Sequence, residues 1–200
     1  GGPFKHYMGG DPNNDSNWVQ DPGSTHPFVI QKPNTPCGST PNCYGLGEPS
    51  VVVRGDTLHM WYNLANDPDA KKVGVYHATS KDGITWLSPT HTNYPSQSVD
   101  VKWDPASQQY VMFGLQKDYS TAVEFQTKVS KDGNTWTALG TPVQIPDYSA
   151  EFGVSGDERG YLHGGKILFG FAAPYNLMGN TACVGGQCEL FVSPLDVTWK

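Results

Sequence analysis

The chain writes nearly the same seven residues twice. SKDGITW runs from Ser80 to Trp86, and SKDGNTW runs from Ser130 to Trp136, fifty residues later. The likeness extends upstream, to KVGVYHATSKDGITW from Lys72 and TAVEFQTKVSKDGNTW from Thr121. Both read as an alternating strand, an Asp-Gly turn and a Thr-Trp pair that opens another strand. Asp-Gly favours tight hairpins because Gly accepts positive φ. The Trp is expected to fold back over the hairpin and bury a large apolar area. A degenerate third copy, CELFVSPLDVTW from Cys188, keeps Ser193, Asp196, Thr198 and Trp199 but lacks the Gly.

A further strand pair precedes each copy. EPSVVVRGDTLHMWYN (Glu48 to Asn63), SVDVKWDPASQQYVMFG (Ser98 to Gly114) and AEFGVSGDERGYLHGGKILFGFA (Ala150 to Ala172) share one layout. A short apolar strand meets a polar turn, at Arg54-Gly55-Asp56, Asp104-Pro105-Ala106 or Gly156-Asp157-Glu158, and an aromatic-rich strand follows. Helical periodicity of any length is absent. Four strands recurring about every 50 residues are the signature of β-propeller blades. The expected fold is all-β, with about three blades of four antiparallel strands behind an N-terminal arm. Residues 1–33 read as the irregular arm plus one strand, His26 to Pro33. Residues 34–200 read as propeller-like repeats at about 45–95, 96–145 and 146–200. Closed propellers usually have at least four blades. Further blades are therefore expected from a longer chain or from self-association. Leu58, Met60 and Tyr62 fall on one strand face, with His59 and Trp61 on the other. Both faces are expected to be core, packed between blades.

A net charge of −6 with few charged residues argues against nucleic-acid or anionic-membrane partners, which want basic patches. No apolar stretch approaches the roughly 20 residues of a membrane span. Cys37 and Cys43 bracket CGSTPNC, and Cys183 and Cys188 bracket CVGGQC. Loops this short and rich in Gly, Pro, Ser and Asn can close as local disulfides. Zinc is the rival reading, but CxxC pairs are missing and His lies at no useful spacing; free thiols are the third. No metal and no cofactor are expected. Disulfides imply an oxidising compartment, and the sequon NDS at Asn14 fits secretion.

The heptads resemble the Asp-box, S-x-D-x-G-x-T-W, one residue short. The joint pattern PSVVVRGDTLHMWYN…VGVYHATSKDGITW resembles one blade of the five-bladed propeller glycoside hydrolases and their relatives. Those are the arabinanase and β-xylosidase family, the invertase-like family and the β-mannoside phosphorylases. WVQDPG, Trp18 to Gly23, is faintly similar to the W-x-N-D-P-N-G start of the invertase-like group. The resemblance covers roughly residues 45–199. It implies acids on the inner strands of successive blades, pointing into a central funnel, as base or nucleophile, as acid and as modulator.

Carried onto this chain, the resemblance puts Glu48 where Asp-Pro is common. Asp100 in SVDV is similar to PDV, and Glu151 in AEFG stands in the place of EGP. Asp21 becomes the first acid if the invertase-like reading holds, and Glu48 is then secondary. Three carboxylates brought together would push one pKa up, as glycosidic cleavage by a carboxylate pair requires. This sequence departs from the pattern in having Glu48 for Asp and Phe152-Gly153 after Glu151. Trp103 near a turn is a candidate for stacking on a sugar. His163 in GYLHGGK is a candidate sugar contact or proton partner. The Asp82 and Asp132 carboxylates read as fold-forming rather than catalytic. The expected function is a secreted carbohydrate-active propeller, a glycoside hydrolase acting on a polysaccharide or oligosaccharide end. The alternative is a non-catalytic glycan-binding or self-assembling structural propeller.

Overall fold

The computed structural model describes residues 7–8, 19–20, 46–64, 71, 73–87, 89–94, 98–118, 122–145, 152–156, 166–174 and 188–196, with side chains described at 49–64, 71, 73–87, 89–94, 99–114 and 125–142. All its regular structure there is β, apart from a single 3-10 residue at Lys71. Strands β1 (Tyr7–Met8) and β2 (Val19–Gln20) form an antiparallel pair. The first blade follows the order β3 (Leu46–Arg54), β4 (Thr57–Leu64), β5 (Gly74–Ser80) and β6 (Thr90–His91). The second is β7 (Ser98–Asp104), β8 (Gln109–Asp118), β9 (Ala122–Ser130) and β10 (Thr137–Ile145). The third sheet has β11 (Phe152–Gly156), β12 (Lys166–Pro174) and β13 (Cys188–Asp196). Every pairing is antiparallel between neighbours in the chain.

The alternation in β4 sorts its side chains as the sequence predicts. Met60, Tyr62 and Leu64 cluster with Ala78 and Trp86 on one side, and Leu58 packs against them. Trp61 emerges on the other side, where it joins Val52 and Val75 against Val99, Val101, Tyr110, Met112 and Trp136 of the second blade. Burying side chains such as these contributes about 1.5–3 kcal/mol each. This layer joins the two blades. The first strands of successive blades are neighbours: β7 packs on β3 and β4, and β11 packs on β7.

The two heptads differ from the tight hairpins that Asp-Gly suggests. Pairing resumes only at Trp86 opposite Ser80, and at Thr137 opposite Val129. Side chains close the gap. Asp82 Oδ1 accepts the backbone N–H groups of Ile84 (2.8 Å) and Thr85 (2.6 Å), and Ser80 Oγ accepts that of Gly83 (2.9 Å). Asp132 and Ser130 repeat this with Asn134, Thr135 and Gly133. An Asp that holds two amides directs the backbone away from a two-residue turn. Those donors hold Asp82 down to about 2, Thr85 contributing most, and hold Asp132 below the ordinary carboxylate range by the same means. Both acids are therefore spent on the turn, which matches their reading as fold-forming.

The other turns also differ from one another. Gly55 (φ 58°) and Asp56 join β3 to β4, whereas Pro105 to Gln108 join β7 to β8. Asp104, fully buried, anchors the longer turn by accepting from the Ser107 N–H (2.9 Å) and hydroxyl. The Gly156-Asp157-Glu158 turn and the strand expected at His26 to Pro33 lie outside the described residues, except Gly156, which ends β11.

Candidate functional site

A side-chain clip holds the inner strands of the first two blades together. The Val101 N–H donates to Ser50 Oγ at 2.8 Å. The Ser50 hydroxyl lies 3.1 Å from Asp100 Oδ1 and 3.3 Å from the Val101 carbonyl, both acceptors. The hairpins close at Arg54↔Thr57 and at Asp104↔Gln109. Measured back from those ends, Ser50 and Asp100 occupy the same place in their blades. The register thus aligns Ser50, and not Glu48, with Asp100. Glu48 lies nearer the start of β3, where the pairing shifts between Gly47 and Ser50.

Among the predicted acids, Asp100 is the one with a described side chain. It pairs with Lys102 Nζ at 2.8 Å and is 14% exposed. Glu48 is placed on β3 by its backbone alone. Glu151 and Asp21 lie outside the described residues, Glu151 immediately before β11 and Asp21 immediately after β2. Since β3 and β7 are neighbours, the positions of Glu48 and Asp100 belong to the leading parts of two adjoining strands. His163, Cys37, Cys43 and Cys183 also lie outside the described residues, and Cys188 opens β13. Among the described residues no group of three or more His, Cys, Asp or Glu could hold a metal ion. No helix among them is long and apolar enough to cross a membrane.

Trp103 lies on the opposite face of β7 from Asp100, toward the hairpin end. The Arg54 guanidinium sits 3.3 Å over its ring, and Tyr110 meets it edge-on at 5.0 Å. This cation–π stack occupies one face of the indole. The structure does not bring Trp103 together with Asp100. Arg54, which sequence reasoning took only as a turn residue, is the partner that decides the ring's surroundings.

A polar row unnoticed in the sequence crosses between the blades. His59 Nδ1 lies 3.0 Å from His77 Nε2, and His77 Nδ1 lies 3.1 Å from Asn134 Oδ1. The Asn134 amide nitrogen donates to the Asp132 carbonyl, which turns its oxygen toward His77. His77 Nδ1 therefore donates, and its neutral Nε2 accepts from His59 Nδ1–H. The rings stack with Trp61, whose plane lies 4.6 Å from His77 by centroid. Burial lowers His59 to about 4, helped by His77, Arg54 and Lys81. Burial also lowers His77, against the opposing pull of Asn134 and Asp132. The one signal in the sequence was register: His77 sits directly opposite Trp61.

Comparison with known proteins turns on the fold. The chain matches no protein-family model and no curated protein sequence. Among solved structures it is similar to the xyloglucan PUL GH43B of Bacteroides ovatus (TM-score 0.54, 12% identity, 78% of this chain and 28% of that one). It is also similar to the GH32 β-fructofuranosidase of Bombyx mori (TM-score 0.52, 14% identity, 77% and 34%). This is the propeller fold of the GH43 and GH32 glycoside hydrolases. An N-acetylgalactosamine deacetylase from F. plautii, solved with blood group B trisaccharide, is similar too (TM-score 0.53, 18% identity, 73% and 48%). The chain spans less than half the length of each of these relatives. The deacetylase makes the fold a poor guide to the bond that is cleaved.

Proposed function

We propose that the chain is part of a carbohydrate-active enzyme, acting as a glycoside hydrolase on a polysaccharide or oligosaccharide end. One observation carries the reading: the Ser50 clip holds β3 and β7 side by side, so acid-bearing positions of adjoining strands share one end of the blades. In the proposed roles, the acid and base come from Glu151, Glu48 and Asp21. Asp100 modulates them and is itself fixed by Lys102 and Ser50. A carboxylate held rigidly beside a reacting pair orients and tunes it without taking a proton. Trp103 and His163 are the proposed sugar contacts, and secretion with Cys37–Cys43 and Cys183–Cys188 disulfides belongs to the same proposal. The similar structure solved with blood group B trisaccharide supports a sugar as the ligand class.

The second reading, a glycan-binding propeller without catalysis, is favoured by the internal pairing of Asp100. A carboxylate engaged by Lys102 and Ser50 can serve the scaffold alone. Hydrolysis of a panel of aryl glycosides and plant polysaccharides separates the two, run beside Glu151→Gln and Glu48→Gln. Turnover that either variant abolishes supports the enzyme. Folded protein that binds glycans and turns none over supports the second reading.

A further inference from the structure

Arg54, His59 and Trp103 meet at one buried ring. Tyr110 is 2% exposed, and its ring centroid lies 5.0 Å from that of Trp103, 5.4 Å from that of His59 and 5.6 Å from the Arg54 guanidinium carbon. The three neighbours are half-buried, so they form a rim around a buried floor. Arg54 and His59 belong to the first blade, Trp103 and Tyr110 to the second, and the cluster exists only where the two blades meet. The hairpin tip beside Arg54 stands in open space: a methyl on Gly55 would meet nothing within 4 Å.

No carboxylate pairs with Arg54 among the described residues; Asp56, two positions on, pairs with Lys81 instead. The guanidinium lies 3.3 Å over the Trp103 ring. Stacking uses the flat face of a guanidinium and leaves its in-plane N–H fork, which matches the two oxygens of a carboxylate. His59 gives its Nδ1–H to His77, so its Nε2 is an acceptor, suited to a hydroxyl. Arg54 and Lys81 both oppose a positive charge on that ring, which keeps Nε2 an acceptor. The neighbourhood is cationic in a chain of net charge −6.

On the carbohydrate-active reading, on which this rests, we propose that the cluster is a binding subsite for a uronic acid unit of a polysaccharide. The Arg54 fork takes the sugar's carboxylate, and His59 Nε2 accepts one of its hydroxyls. Trp103 and Tyr110 supply the apolar side of the subsite. Arg54 ends β3, six residues from Glu48, about 20 Å along an extended strand. The subsite therefore grips a sugar away from the acid positions at the leading parts of β3 and β7. It gives Trp103 a sugar contact that does not need Asp100, and it makes Arg54 the residue that selects for charge.

NMR titration of the 200-residue chain with uronic acid disaccharides, with their uncharged methyl esters and with acetate, each to about 10 mM, tests this. The acid disaccharides are expected to move the Trp103 indole and His59 ring signals, and to bind at least tenfold more tightly than the esters or acetate. Arg54→Gln is expected to abolish that preference. Arg54→Lys keeps the charge but not the fork, is expected to weaken the preference severalfold, and serves if the Gln variant fails to fold. Esters or acetate that bind as tightly as the acids overturn the proposal, as does a preference that survives in the folded Arg54 variants. Binding is read without turnover, so the two readings fail separately. A protein that hydrolyses glycans and shows no shift at Trp103 or His59 overturns the subsite alone, and one that neither binds nor cleaves any glycan overturns both.

Discussion

Trp61, on the second strand of the first blade, donates its indole N–H to the Gly133 carbonyl in the second blade's heptad turn. The bond is buried and joins residues 72 positions apart. Trp61→Phe keeps an aromatic ring but leaves the carbonyl without this donor. The expected loss is about 1–3 kcal/mol beyond the smaller ring's burial. Urea denaturation of Trp61→Phe beside Trp86→Phe checks it, and the Trp61 variant is expected to fall further.

Gly133 and Gly83 make a matched comparison. Both have positive φ, at 77° and 73°, which costs an alanine about 1–2 kcal/mol. A methyl on Gly133 also meets Trp61 Cζ2 at 2.9 Å and His77 Cε1 at 3.1 Å, whereas on Gly83 it meets Leu58 Cδ1 at 3.4 Å. Gly133→Ala is therefore expected to destabilise more than Gly83→Ala. Equal losses in thermal or chemical melts would remove the interface from the explanation.

Ser50→Ala removes the acceptor of the buried Val101 N–H and the donor to Asp100. An orphaned buried amide costs about 1–3 kcal/mol. Loss of that size, measured by denaturation, is expected together with faster hydrogen exchange at Val101. A variant as stable as wild type, with Val101 still protected, would show that the clip does not hold the strands.

The paired histidines set a pH dependence. His59 is near 4 in the folded protein against an ordinary 6.5, and His77 is also lowered. The unfolded chain takes up protons that the folded rings refuse. Their stabilisation is whole above about 6.5 and is lost as pH falls toward about 4. His77→Gln is expected to narrow the difference in denaturation midpoint between neutral and mildly acidic buffer. Asp82 contributes with the same sign in a lower window, from its ordinary 3.8 down to about 2, as its carboxylate loses the turn amides.

The alternation of Leu58, Met60 and Tyr62 against Trp61 was legible because a strand's side chains can only alternate, and both faces here meet core. The Asp of each heptad was legible as a turn former for a local reason, since its partners are two and three residues away. The clip was not. Nothing in a serine's neighbours says that an amide 51 positions on will bond to it. The resemblance suggested that Glu48 and Asp100 correspond, but the shifted pairing between Gly47 and Ser50 gives that place to Ser50. Trp103 read as an open aromatic because Arg54, whose guanidinium covers it, belongs to another blade's hairpin.

The second heptad is written at the end of the second blade's third strand, yet its glycine, asparagine and tryptophan meet the first blade. The units that repeat in the sequence are therefore not the units that separate cleanly. A cut between the first and second blades would still strip Trp61 and His77 of their partners in the second blade. Shuffling or permuting this chain would need to move each sheet together with the turn that follows in the next one.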